Sequence, residues 1–314
     1  LFLVIATAGL RYPRTFNEAL GAWSDFITQH FDWLVLLGCS GFLLFCILLA
    51  FSRYGAIRLG GGQDEKPEYG ALSWFSMLFA AGMGTGLVFY GAAEPLLHFA
   101  SPPPFLHGDD MTNAQTARQA MVVTYLHWGF HAWAVYAIAA LTVAYFTFRQ
   151  QQPMLASAPL QEQHNLENHH FISRLINLIA VLATIFGLVA SIGTGIHQTQ
   201  EGFVRLGWVK DEHVWQLLAI LATLTFCYLL SSLTGLGKGI RWLSNINMIA
   251  CVALMLFVLL TGPTQFILQS FVSSLGEYVS RFIALGVNMQ SFTEGTQWAQ
   301  DWTVNYFLWW VAWS

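Results

Sequence analysis

An all-α fold of membrane-spanning helices is what the sequence predicts, and three observations predict it. Of 314 residues, 55% are hydrophobic and 10% charged, where a soluble domain carries about 25% charged residues. Mean hydropathy is +0.52, which excludes an ordinary soluble globule. Polar or Gly/Pro-rich punctuation divides the apolar stretches into lengths near the roughly 20 residues that cross a bilayer. Lys plus Arg number 13 against 17 Asp plus Glu, so there is no basic excess to hold nucleic acid. Membrane lipid is the expected surround, and the length leaves room for roughly eight crossings.

Taken in order, residues 1–10 are apolar but cover about 15 Å, half of a bilayer core of about 30 Å. They lack the basic flank and cleavage site of a signal peptide and read as the tail of a helix. Full spans are expected over residues 32–52, 70–100, 119–148, 172–203, 213–234 and 240–262. The runs RYGAIRLGGGQDEKPEYG, SPPPFLHGDDMTNAQ and QQQPMLASAPLQEQHNLENHH fall between spans and are too polar for hydrocarbon. Residues 264–290 place Glu277, Arg281 and Asn288 among apolar neighbours, as in an interfacial amphipathic helix. Residues 302–314 stop after about 20 Å without a cap, a Gly or a polar loop, so both ends predict a piece of a longer membrane protein. Cys39, Cys46, Cys227 and Cys251 lie inside apolar runs, where they are expected to pack and not to form a disulfide framework. If residues 53–68 are cytoplasmic, seven Lys/Arg fall inside and six outside, a slight lean towards that orientation.

Chemistry concentrates in three segments. In AAGMGTGLVFYGAAEPLLHF, residues 80–99, Gly82, Gly84 and Gly86 each weaken the helix by about 1 kcal/mol relative to Ala. Gly82 and Gly86 alone fit a small-residue packing face. Gly84 is not needed for that, and an unwound stretch lining a cavity, with carbonyls for a cation and amides for a carboxylate, fits all three. In YLHWGFHAWAVYA, residues 125–137, Trp128, Tyr136 and Trp133 fall at about 0°, 80° and 140° on a helical wheel. Trp309, Trp313 and Trp310 fall at about 0°, 40° and 100° on the last helix. These aromatic faces lie at mid-span depth, away from the interfacial belt. Core packing explains any single ring, whereas six together beside a helix break predict a cage for a quaternary ammonium, each ring contributing about 0.5 to 2 kcal/mol. His127 and His131, at i and i+4, fall on the other side of the wheel and have no carboxylate or Cys at ligand spacing. They are expected to hydrogen-bond to neighbouring helices.

The runs GMGTGL at 82–87, AEP at 93–95, HWGFHAWAVY at 127–136, SIGTGIHQ at 191–198, GLGKGI at 235–240, LSNINM at 243–248 and WTVNYFLWWVAWS at 302–314 together resemble the betaine/choline/carnitine transporter family. The resemblance implies a secondary transporter with an inverted-repeat core and a broken third helix, in the plasma (inner) membrane, often as a homotrimer. Residues 1–68 would hold a partial first helix and the second, 69–262 the first five-helix repeat, 263–300 the amphipathic helix and a loop, and 301–314 the start of the second repeat. It implies an aromatic box of Trp128, Trp133, Tyr136 and Trp310, with Trp309 and Trp313 lining the pathway and Met83 and Gly84 lending backbone. Choline-type members often carry Asp where this chain has Gly86, which favours a zwitterion such as glycine betaine. In sodium-coupled members one Na+ is held by a hydroxyl pair, of which Thr184 matches but Leu188 offers no oxygen to a hard cation, and a second by carbonyls near Ala80 and Met83, so coupling to Na+, to protons or to neither stays open. Asn305 replaces a usual aromatic and either adds a polar contact or faces a neighbour. Glu94 before Pro95 is an intramembrane carboxylate, for which a structural role around the kink is expected. The leading expectation is a carrier for a quaternary-ammonium osmolyte. The alternatives are a haem-bearing oxidoreductase subunit, motivated by His127 and His131, and a transport-incompetent truncated product.

Overall fold

The computed structural model describes residues 2–60, 66–82, 84–104, 111–163, 170–210 and 213–313. In chain order the helices are α1 (Phe2–Arg11), α2 (Pro13–His30), α3 (Asp32–Phe51), α4 (Ala71–Gly82), α5 (Thr85–Ala100), α6 (Asn113–Trp128), α7 (Phe130–Ala144) and α8 (Ala158–Gln163). There follow α9 (His170–Arg205), α10 (Val214–Leu233), α11 (Arg241–Thr261), α12 (Thr264–Gly286), α13 (Thr296–Ala299) and α14 (Asn305–Trp313). No strand occurs among the described residues. Five stretches among them are long and apolar enough to cross a membrane: Asp32–Phe51, Asn113–Arg149, Phe171–Arg205, Val214–Leu233 and Gly237–Thr261. Large apolar side chains such as Phe226, Leu230, Met255 and Phe257 stand exposed on them, a surface that lipid tolerates and water does not.

Two compact units make up the chain, one of residues 64–95 and 188–273, the other of residues 1–63, 96–187 and 274–314. In the first, α4 packs along α11, where Asn245 Nδ2 donates to Ser73 Oγ at 3.3 Å. The expected span over residues 70–100 is two helices, because α4 ends at Gly82 and α5 begins at Thr85. Gln200 Nε2 ties α9 to the start of α10 by donating to the His213 carbonyl at 3.0 Å and Gln216 Oε1 at 2.9 Å. Gly235, at φ +80°, turns the chain after α10 into a π-helical turn that leads to α11, a left-handed conformation that glycine adopts without a Cβ penalty.

The second unit contains the apolar core, built from Leu36 and Cys39 of α3, Val122 and Leu126 of α6, Ala132 and Val135 of α7, Tyr278 and Leu285 of α12, and Phe307 and Trp310 of α14. Thr112 and Gln115 form a reciprocal cap that starts α6, satisfying two amides at the helix start. α3 runs along α7, and the small Gly286 at the end of α12 lets the chain approach both. The Ser40 hydroxyl donates to the Gly286 carbonyl at 2.8 Å, and a Cβ on Gly286 would collide with the buried imidazole of His131. Gln300 Nε2 donates to Asp32 Oδ2 at 2.7 Å, anchoring the π-helical turn of Gln300–Val304, just before α14, to the first turn of α3.

The fourth span departs from expectation. It starts at Asn113 and is interrupted at Gly129, whose φ of −96° and ψ of −134° leave the helix. The periodicity across residues 119–148 carried no boundary signal, since one glycine in a span is a cost of about 1 kcal/mol and not a stop. The break follows from close approach, because a Cβ on Gly129 would run into the Tyr125 carbonyl oxygen and lie 2.7 Å from Tyr278 Oη.

Candidate functional site

Trp128 ends α6, Trp133 and Tyr136 lie on the first two turns of α7, and Trp310 lies in α14. The four rings join in one chain of contacts. Trp310 meets Trp128 edge to face with centroids 5.1 Å apart, and meets Tyr136 at 5.8 Å; Tyr136 lies 5.9 Å from Trp133. Such edge-to-face geometry suits aromatic quadrupoles. Trp310 is buried at 7% exposure and Trp133 is the outermost ring at 38%. Trp309 stacks on Trp310 at 5.8 Å and also meets Trp128 at 6.1 Å.

Hydrogen bonds hold this cluster in register. The Trp310 indole N–H donates to the His127 carbonyl at 2.8 Å. This carbonyl lies beside the Gly129 break, so an indole supplies a partner to backbone where the helix is interrupted. His127 Nε2 lies 3.0 Å from Thr303 Oγ1 on the π-helical turn. That much agrees with a histidine bonded to a neighbouring helix. Its ring also stacks on Tyr306 at 4.6 Å and 11°, and Tyr306 in turn meets Trp128 at 5.6 Å. His131 departs from expectation: it is fully buried and stacks on Phe307 at 5.2 Å and 19°, and neither of its ring nitrogens has a hydrogen-bond partner among the described residues.

A second row of rings was missed at the level of sequence. Trp298, Trp302 and Tyr306 stack successively at 6.4 Å and 6.3 Å, with planes within 21° and 18°. His98, 1% exposed, caps the row with its ring 4.5 Å from Trp302. The row continues through Tyr306 to Trp309 at 5.9 Å. The i, i+4 spacing of residues 298, 302 and 306 was the available signal, since it puts three rings on one helical face.

The remaining expected residues are placed as follows. Met83 and the side chain of Trp313 lie outside the described residues. Ala80, Gly84 and Gly86 belong to the unit that contains α4 and α11. Thr184 is exposed and its hydroxyl donates to the Ala180 carbonyl of its own helix at 2.9 Å. It lines a cavity of about 320 Å³ with Thr142, Phe146, Ala183 and Val311, apart from the aromatic rings. Asn305 is exposed and donates to the Asp301 carbonyl one turn back at 3.1 Å, so it serves its own helix. Glu94 is fully buried inside α5, next to Pro95.

Long apolar helices, one of them interrupted beside a buried aromatic cluster, define a multi-pass membrane protein. Over residues 1–314 the chain matches the betaine/carnitine/choline family transporters, and it belongs to that family. It is 44% identical over 307 residues to the glycine betaine transporter OpuD of Bacillus subtilis (strain 168), covering 98% of this chain and 59% of the relative. It is 38% identical over 314 residues to the ectoine/hydroxyectoine transporter of Virgibacillus pantothenticus, covering 100% of this chain and 61% of the relative. It is 34% identical to the osmo-dependent choline transporter BetT2 of Acinetobacter baylyi (strain ATCC 33305 / BD413 / ADP1), covering 100% of this chain and 45% of the relative. The chain thus spans about half the length of these relatives. Family membership disfavours the haem-bearing subunit.

Proposed function

We propose that the whole protein is a secondary transporter that takes up glycine betaine, or a close quaternary-ammonium osmolyte, by alternating access and without covalent chemistry. The observation that carries this is the convergence of Trp128, Tyr136 and Trp310, with Trp133 beside them, at the break of the fourth span. A quaternary ammonium has no N–H to donate, so ring faces are the groups suited to hold its charge, at about 0.5 to 2 kcal/mol each. Relatives named for glycine betaine and for choline support the substrate class. Gly86, without a charge of its own, supports a zwitterion over a bare cation.

Na+ is proposed as the coupling ion, held through backbone carbonyls near Ala80 and Met83. Thr184 offers a hydroxyl oxygen whose lone pairs stay free for a hard cation, because its hydrogen is directed to the Ala180 carbonyl. A plasma-membrane location and a homotrimer complete the proposal by likeness to the family. The test is uptake of labelled glycine betaine by cells that lack other osmolyte carriers and express the whole protein. Saturable uptake is expected, inhibited by unlabelled betaine and falling when K+ replaces external Na+. Uptake no greater than in cells without the protein would overturn the transport proposal.

A further inference from the structure

The cage is assembled across an interruption in the fourth span, and what holds that interruption lies far away in sequence. α6 stops at Trp128 and α7 begins at Phe130, so the cage rings stand on both sides of Gly129. Inside a membrane, a backbone group that loses its helical partner must find another or cost several kcal/mol. Two side chains supply partners here. One is Trp310, a cage ring, which donates to the His127 carbonyl at 2.8 Å. The other is Tyr278 of α12, whose hydroxyl oxygen accepts the Phe130 N–H at 2.9 Å.

Tyr278 is placed with care. It is 2% exposed, and its ring packs against Phe130 at 5.3 Å, Tyr125 at 6.1 Å and Phe282 at 6.4 Å. Burial pushes its phenol up to about 12 even though the Phe130 N–H pulls the other way, so the hydroxyl keeps its proton throughout the physiological range. The preceding residue, Glu277, fastens the same turn of α12 to α6. It accepts from Arg118 Nε at 2.9 Å, from Gln119 Nε2 at 2.6 Å and from Arg281 Nη1 at 3.1 Å. One turn of the amphipathic helix therefore grips the start of α6 through charge and the first amide of α7 through a phenol.

We propose that Tyr278 is a positioning residue for the cage: its hydroxyl fixes the angle between α6 and α7 and thereby the spacing of Trp128 from Trp133 and Tyr136. This inference rests on the transport function proposed above. Tyr278 touches no substrate and acts only through the Gly129–Phe130 backbone. A displacement of the amphipathic helix is thereby transmitted to the substrate rings.

Tyr278→Phe in the whole protein removes the hydroxyl and keeps the ring. Glycine betaine binding is followed by tryptophan fluorescence in detergent, and transport in proteoliposomes. The expected result is a Kd and an apparent KM raised at least fivefold, with the maximal rate within twofold of the unmodified protein. Phe282→Leu, which trims a neighbouring ring but leaves the Phe130 amide its partner, is expected to stay within twofold in Kd. Unchanged betaine affinity in Tyr278→Phe overturns the positioning role alone. An unmodified protein that binds no glycine betaine overturns the transport function and this role with it. Should Tyr278→Phe fail to accumulate, hydrogen exchange in the unmodified protein decides. Saturating betaine is expected to slow exchange in residues 129–133 and 274–282 together, and slowing confined to 129–133 overturns the proposal.

Discussion

Replacing Trp310 by alanine is expected to raise the apparent KM for glycine betaine about tenfold and to lower the melting temperature. Trp310 is the ring that meets both Trp128 and Tyr136, at 5.1 Å and 5.8 Å, so its loss opens the cage at the centre. The direct cation-π contribution of one ring is about 0.5 to 2 kcal/mol. A second loss falls on stability, since the indole N–H that partners the His127 carbonyl disappears, and a buried polar group left unsatisfied costs about 1 to 3 kcal/mol in the free and the bound protein alike. Because about 1.4 kcal/mol corresponds to a tenfold change in affinity, a tenfold effect lies within the range of that one ring. Trp310→Phe separates the two terms, since it keeps a ring and gives up the N–H. It is expected to fall between the unmodified protein and Trp310→Ala in concentration-dependent uptake.

Gly129→Ala is expected to damage both stability and binding, although it adds one methyl group. That methyl would collide with the Tyr125 carbonyl oxygen and lie 2.7 Å from Tyr278 Oη and 3.1 Å from its Cζ. The first obstacle is backbone and cannot swing away. Overpacking of a tight site costs about 1 to 3 kcal/mol, sometimes more, and relief requires the two halves of the fourth span to shift relative to each other. A melting temperature lowered by several degrees is expected in detergent, together with betaine affinity reduced about tenfold. By contrast, Gly38 and Gly41 of α3 have open space where a Cβ would go, so the sensitivity belongs to the break and not to glycine in general.

These two positions also show how far the sequence could be read. Trp128, Trp133, Tyr136 and Trp310 stood out because residue type and helical spacing act locally, and the structure brings their rings together. The interrupted third span was legible for the same reason, as Gly82, Gly84 and Gly86 crowd into one turn. The interruption at Gly129 was not legible, because the Phe130 amide that follows it depends on a partner 148 residues away in Tyr278. The partner of His127 was out of reach for a related reason. Thr303 is 176 residues distant, and a helical wheel gives the face a residue takes but not what packs against it. The row of Trp298, Trp302 and Tyr306 was available from spacing alone, yet tryptophans near the end of a span also serve as interfacial anchors, and spacing does not separate the two uses.

Charge recognition by the rings is tested most directly by an uncharged mimic of the ammonium head. In 3,3-dimethylbutanoate a carbon replaces the nitrogen of glycine betaine, so the three methyl groups and the carboxylate remain and the positive charge is gone. If the rings of Trp128, Tyr136 and Trp310 hold the charge, glycine betaine should bind the whole protein at least tenfold more tightly than this isostere in fluorescence titrations, corresponding to about 1.4 kcal/mol. Equal affinity for the two compounds would mean that the rings select shape alone, and cation recognition by the cage would be wrong.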